Sequence, residues 1–157
     1  MEKYNTNSVS AKTILKGIAM LFALITLLTM FTVQVKMGSD GEHAIKNWTT
    51  FFGDEDTHGA WISFVGYLLV VVGGGLGVAS IFMNQHKVLT LAGAALAIVG
   101  CFFIFFIKIF YFKSVEAVNP FVKLDYYKLS GGPIVGGIFG ALTGALLGLS
   151  AFVKDAE

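Results

Sequence analysis

The sequence predicts an all-α membrane protein: an antiparallel bundle of four transmembrane helices carrying a small extracellular β cap. Three observations predict it. Of the 157 residues, 55% are hydrophobic and 13% charged, about half the charged share of soluble domains. Four apolar segments, each long enough to cross a hydrocarbon core of about 30 Å as a helix, alternate with polar loops. The last segment carries Gly132, Gly136, Gly140, Gly144 and Gly148 at an unbroken spacing of four. In water each glycine costs a helix about 1 kcal/mol relative to alanine. In a bilayer the backbone must bond internally, and glycine lets a neighbouring helix approach closely. Four residues advance about 400° on a helix, so the stripe drifts by about 40° per step. One domain over residues 1–157 is expected at this length.

The first span covers about residues 14–35, behind Lys3, Lys12 and Lys16. A signal peptide has this charge layout too, but no small-x-small cleavage site follows, so an uncleaved anchor is expected. Thr26, Thr29 and Thr32 share a face of it. Phe31, Val33, Val35 and Met37 then alternate with Thr32, Gln34 and Lys36, the two-residue repeat of a strand with one buried face. The outer loop 36–59 is acidic, with Asp40, Glu42, Asp54, Glu55 and Asp56 set against Lys46 from Gly38 onward. Its aromatic stretch Trp48–Phe52 predicts a second strand.

The second span, 60–83, has Trp61 and Tyr67 towards its outer end, where amphipathic rings prefer the interface. Gly66, Gly73 and Ser80 fall seven apart, and Gly73 and Gly77 form a GxxxG pair. Asn84–Lys87 is long enough only for a tight return. The third span, 88–112, carries Gly93, Ala97 and Gly100 on one side and a run of phenylalanines from Phe102 to Phe112. Lys108 lies about 30 Å beyond Val88, at the hydrocarbon edge, where its ammonium reaches the headgroups. In the second outer loop, 113–130, Val122, Leu124 and Tyr126 alternate with Lys123 and Asp125, a third strand. All three predicted strands emerge on one face and pair there as the cap. The fourth span is 131–153.

Lys3, Lys12, Lys16, Lys87 and Lys154 lie on the side of the termini; Lys36, Lys46, Lys113, Lys123 and Lys128 lie on the other. The count ties, and the lysines leading the first helix decide it: plasma membrane, with both termini cytoplasmic.

No Asp, Glu, Arg or His falls inside a span, which argues against a proton-coupled antiporter and against haem held between helices. All eleven basic residues are lysine, and no basic block suggests nucleic acid. Cys101 stands alone and cannot form an internal disulfide or dithiol pair. Gly73, Gly74, Gly75 and Gly77 lie amid a span rather than after a strand, so they are no phosphate-binding loop. No catalysis, cofactor or metal site is therefore expected. The run Asp54-Glu55-Asp56-Thr57-His58 lacks the spacing of a calcium loop and reads, with Trp48, as a candidate partner-binding surface. Asn47-Trp48-Thr49 matches the glycosylation sequon. Gly132, Gly136, Gly140, Gly144, Gly148, Gly73 and Gly77 are the expected helix-packing positions.

Phe31–Lys36, His58-Gly59-Ala60-Trp61 and the glycine-rich last helix are similar to small uncharacterised four-span membrane proteins of low-GC bacteria. The layout as a whole resembles claudin-type proteins, which implies cytoplasmic termini and a long first outer loop entered by a strand. The first loop has Trp48 but neither the Gly-Leu-Trp triplet nor the paired cysteines of claudins, so no barrier role is carried over. The expected function is non-enzymatic: binding a membrane or extracellular protein, as an accessory subunit or an immunity-type protein. The alternative is a homo-oligomeric channel or membrane-permeabilising assembly packed through the fourth helix. Thr143 and Ser150 are the only hydroxyls there, so such a pore would be nearly apolar. A third reading is lipid handling by the phenylalanine-rich half of the third span and Lys108.

Overall fold

The computed structural model describes residues 10–38, 41, 43–55, 57–83 and 86–153. In chain order its elements are α1 (Ala11–Thr29), β1 (Val35–Met37), β2 (His43–Ala44), α2 (Asn47–Phe52), α3 (Trp61–Phe82), α4 (His86–Phe105) and α5 (Ile107–Glu116). A 3-10 turn (Leu124–Tyr126), β3 (Tyr127–Leu129) and α6 (Gly131–Ser150) complete it. The four helices α1, α3, α4 and α6 are long and apolar enough to cross a membrane. Helix α6 opens with Pro133 in its first turn, where the missing N–H costs no bond.

Helices α3 and α4 form the most extensive pairing, and α1 and α6 each pack against neighbours on either side. The α3–α4 seam follows the spacing of seven. Gly66 lies opposite Gly100 and Gly73 opposite Gly93, so the two helices run antiparallel. A Cβ on Gly73 would stand 2.5 Å from the Gly93 carbonyl oxygen, and one on Gly93 equally close to that of Gly73. Hydroxyls flank these backbone contacts. Ser63 donates to the Phe103 carbonyl at 2.9 Å, and Ser80 and Thr90 share a hydrogen bond of 2.9 Å.

The stripe on α6 turns from one neighbour to the next, as its drift requires. Gly132 meets Thr32 and Val33 just past α1, and Gly136 meets Thr29 and Tyr67. Gly140 rests on Val70 and Cys101, and Gly144 on Ile98 and Ala94 of α4. Gly148 has nothing within 4 Å, and Gly77 of α3 lies against Leu147. Thr26 donates to the Gly136 carbonyl and Thr143 to that of Ala19, tying α1 to α6. Tyr67, Val70, Ile104 and Leu147 fill the space between the helices and are fully buried.

The three-stranded sheet has the order β2-β1-β3, with both pairings antiparallel. Its strands differ from those the sequence predicts. Trp48–Phe52 lies in helix α2, because a helix turns Phe51 into the core against Phe64 and Tyr67 while Trp48 stacks edge-on to Phe52. Packing overrides the β preference of those residues. The third strand begins at Tyr127, the ring buried against Tyr111 and Phe112, whereas the predicted stretch ends in the 3-10 turn. A register moved by one residue exchanges the faces of a strand.

Two spans end early. The first stops at Thr29, not residue 35, and the third stops at Phe105, not residue 112. At Phe106 the backbone (φ −87°, ψ 7°) leaves the helix, with no glycine or proline there. The chain resumes as α5, whose Tyr111 and Phe112 lie under β3.

Gly73→Ala and Gly100→Ala are expected to destabilise the protein by about 1–3 kcal/mol, since the added methyl meets facing backbone. Gly75→Ala adds its methyl to open space and should be neutral or stabilising by up to about 1 kcal/mol. Thermal unfolding of the three variants in one detergent checks the contrast; equal midpoints would refute the seam.

Candidate functional site

The sheet, α2 and the chain around them form one end of the molecule, and a buried pair fastens that end to the long helices. Gln34 and Tyr67 are both 0% exposed. The Tyr67 hydroxyl donates to Gln34 Oε1 at 2.7 Å. Gln34 Nε2 reaches the carbonyls of Thr29, Met30 and Thr32 at 2.8, 3.2 and 2.6 Å, where α1 ends and carbonyls lose their helical partners. Its main-chain carbonyl accepts from Ser130 N at 3.0 Å, the residue before α6. One residue thus caps α1 and holds α3 through its side chain, and positions the start of α6 through its main chain. The alternation puts Gln34 on the solvent face of a strand. The structure buries it instead, and leaves Phe31 exposed.

The acidic loop is a tight excursion between α2 and α3. Asp54 N donates to the Thr57 carbonyl at 3.0 Å, and the Thr57 hydroxyl to Asp54 Oδ1 at 3.1 Å. Gly53 (φ 80°) and Gly59 (φ 67°) close it, each so near opposing backbone that no Cβ fits. Asp54, Glu55 and His58 are exposed on it, and Asp56 lies outside the described residues. Among the described residues no three of His, Cys, Asp and Glu gather as a metal site. Trp48 is exposed on α2, in an aromatic row that continues through Phe52 and Phe64. The sequon's Asn47 uses its amide to bond the Phe31 carbonyl at 2.6 Å.

A concavity that sequence reasoning missed lies on the same end. Met37, Phe121, Val122, Lys123, Tyr126 and Tyr127 line a groove of about 380 Å³. Phe121 is 92% exposed, held out by a turn in which its N–H donates to Asn119 Oδ1 at 3.2 Å. The Asn119-Pro120 pair is a turn signal visible in the sequence, and a large ring directly after it is the clue. Burial pushes the Tyr111 phenol beneath this surface up to about 12, with the Tyr127 ring and the charge of Asp54 adding to the rise and the Thr57 hydroxyl opposing it. Burial likewise raises Tyr127.

No family model, curated protein or solved structure matches the chain.

Tyr67→Phe leaves Gln34 Oε1 without its donor and should cost about 1–3 kcal/mol, while Tyr126→Phe at an exposed position should cost nothing measurable. Chemical denaturation of both variants decides it. An unfolded tyrosine ionises near 10, whereas folded Tyr111 keeps its proton to about 12. Its contribution to stability is therefore complete below pH 10 and is lost as pH rises from 10 to about 12. Phenolate absorbance should show a late-titrating component in the folded protein that Tyr111→Phe removes.

Proposed function

We propose that the chain is a non-enzymatic, multi-pass plasma-membrane protein: a four-helix bundle with cytoplasmic termini and the sheet outside, acting by binding a protein partner at the sheet end. The groove beneath Phe121 carries this reading. A large ring 92% exposed beside an apolar concavity is costly in water and is the form of an anchor awaiting a pocket. Lys123, Asp125 and the exposed acidic loop supply polar groups around it, as at the rim of a protein interface. Phe31, Trp48 and Trp61, exposed near the ends of α1 and α3, fit an aromatic belt at the membrane surface, with the groove beyond it.

The channel reading draws no support from the glycines. A pore lined by α6 needs a small-residue face left open, and Gly132, Gly136, Gly140 and Gly144 all meet atoms of their own chain. On α6 only Gly131 and Gly148, at its two ends, are open, too little for a seam between copies.

A photo-crosslinking residue at position 123, in membranes of the native cell, tests the proposal. A discrete adduct with a second protein, lost when Phe121→Asp is added while the unfolding midpoint holds, is the expected result. Adducts of twice the chain mass make the partner a second copy. Lipid adducts alone, or adducts indifferent to Phe121→Asp, would overturn it.

A further inference from the structure

The sheet sets two like charges against each other beside the groove. In the antiparallel pairing of β1 with β3, Lys36 lies directly opposite Lys128. Bonds of 3.0 Å from Gly38 N to the Tyr126 carbonyl and from Ser130 N to the Gln34 carbonyl flank this pair two residues away on either side. Residues two apart share a face of a strand, so Tyr126 and both lysines stand on one face. Val35, Met37, Tyr127 and Leu129 stand on the other and pack into the core with Tyr67 and Ile104. The lysine face is therefore turned away from the helices. Gly41 (φ 71°) lies against both lysine stems: a Cβ there would stand 3.3 Å from Lys128 Cδ and 3.8 Å from Lys36 Cβ. Like charges directly opposite one another weaken a strand pair. Lys36 and Lys128 make no ion pair with any described residue, nor does Lys123 in the groove. Asp125, between Lys123 and Lys128 in the chain, pairs with neither, and Asp54 accepts from Thr57 within its own loop.

We infer that the partner segment received at the groove is acidic: its apolar side chains seat against Phe121, and its carboxylates pair with Lys123, Lys128 and Lys36. The inference rests on the reading of the groove as a protein-binding site and adds the sign of what binds there. Charge complementarity carries it. A carboxylate set between Lys36 and Lys128 turns a repulsive rung of the sheet into an attractive one. The lysine face also continues from the groove. Lys123 lines the groove itself, and Tyr126, 47% exposed, belongs both to its wall and to the lysine face. Gly38, opposite Tyr126, contributes no side chain there. A groove of about 380 Å³ has the volume of a drug-sized molecule, so it takes several side chains of a segment rather than one anchor. Lysines are point charges on flexible stems, and the chain has no arginine fork, so these groups select sign rather than one carboxylate geometry. Headgroups of the chain's own membrane do not meet this face, because the opposite face of the sheet is the one packed on the helices. The acidic group comes from the aqueous side.

The test places the photo-crosslinking residue at position 122, which keeps Lys123, in the full chain in native membranes. Adduct yield is compared for the parent chain, Lys36→Gln/Lys128→Gln and Lys36→Arg/Lys128→Arg, with the unfolding midpoint followed in each. The yield is expected to fall about two- to five-fold for each lysine neutralised and to be kept by the arginine pair. It should also fall between about 0.1 M and about 1 M salt, where the screening length shortens from about 10 Å to about 3 Å. Mass spectrometry of the joined peptide should find Asp and Glu in excess over Lys and Arg. A joined peptide from residues 54–58 of a second copy would meet that expectation and make the acidic segment the chain's own loop in a neighbour. A protein adduct indifferent to salt and to the glutamine pair, or a joined peptide that is neutral or basic, would overturn the inference and leave the groove reading standing. Lipid adducts alone, or no adduct from the parent chain, would remove the groove reading and the inference with it.

Discussion

The approach of α3 to α4 is the constraint from which the rest of the structure follows. At Gly66–Gly100 and Gly73–Gly93 the two backbones meet with no side chain between them. Among apolar surroundings, bringing two helices together gains nothing from hiding apolar area, so association depends on contact density and hydrogen bonds. Spacing the glycines by seven keeps them on one face over the whole length, because seven residues nearly complete two turns. The hydroxyl contacts of Ser63 and of Ser80 with Thr90 lie at either end of this seam. Each such bond contributes about 0.6 kcal/mol among membrane helices, so its use is more to fix register than to supply stability.

Against that pair, α6 needs a different pattern. It packs on α1 and α4 along its length, and a stripe that precesses by about 40° per step presents its small residues to α1 and Tyr67 near the start and to α4 near the end. A spacing of seven would serve a single neighbour; a spacing of four serves a stripe that turns from one neighbour to the next. The threonines of α1 work with it, since Thr26 bonds back to its own helix as well as to Gly136. Every buried side-chain nitrogen and oxygen among the described residues has a partner, which a dry interior requires.

The long helices and the side of each glycine stripe were legible because glycine spacing and apolar length are local signals. The sheet was legible as an expectation about one end of the molecule, and much less so as residues. Alternation over Phe31–Met37 suggested a face for Gln34, but a side chain with donors and an acceptor can close a helix end in the core, which hydropathy does not register. Trp48–Phe52 misled for a related reason: its fate depended on a pocket beside Phe64 and Tyr67, residues from another helix. The groove was illegible, since Met37 and Phe121 lie far apart in the chain and come together only through the pairing of β1 with β3. A small cavity at the other end, lined by Lys12, Lys16 and Lys87, escaped likewise, because counting lysines by loop does not show that Lys16 and Lys87 face one space.

With the glycine faces turned inward, what distinguishes the molecule chemically lies at its two ends, and the ends are unlike. The sheet end mixes acids and lysines around an apolar groove, while the other end gathers three lysines about a small cavity. This difference bears on orientation where a lysine tally does not. The cytoplasmic leaflet carries the negative surface potential, so ammoniums gain most when they face that leaflet. An orientation that gives those lysines the cytoplasmic leaflet turns Phe121 outward, and the opposite one turns it towards the cytoplasm. The side on which the lysine end lies and the side on which the groove lies are therefore one question rather than two, since the four long helices run between them.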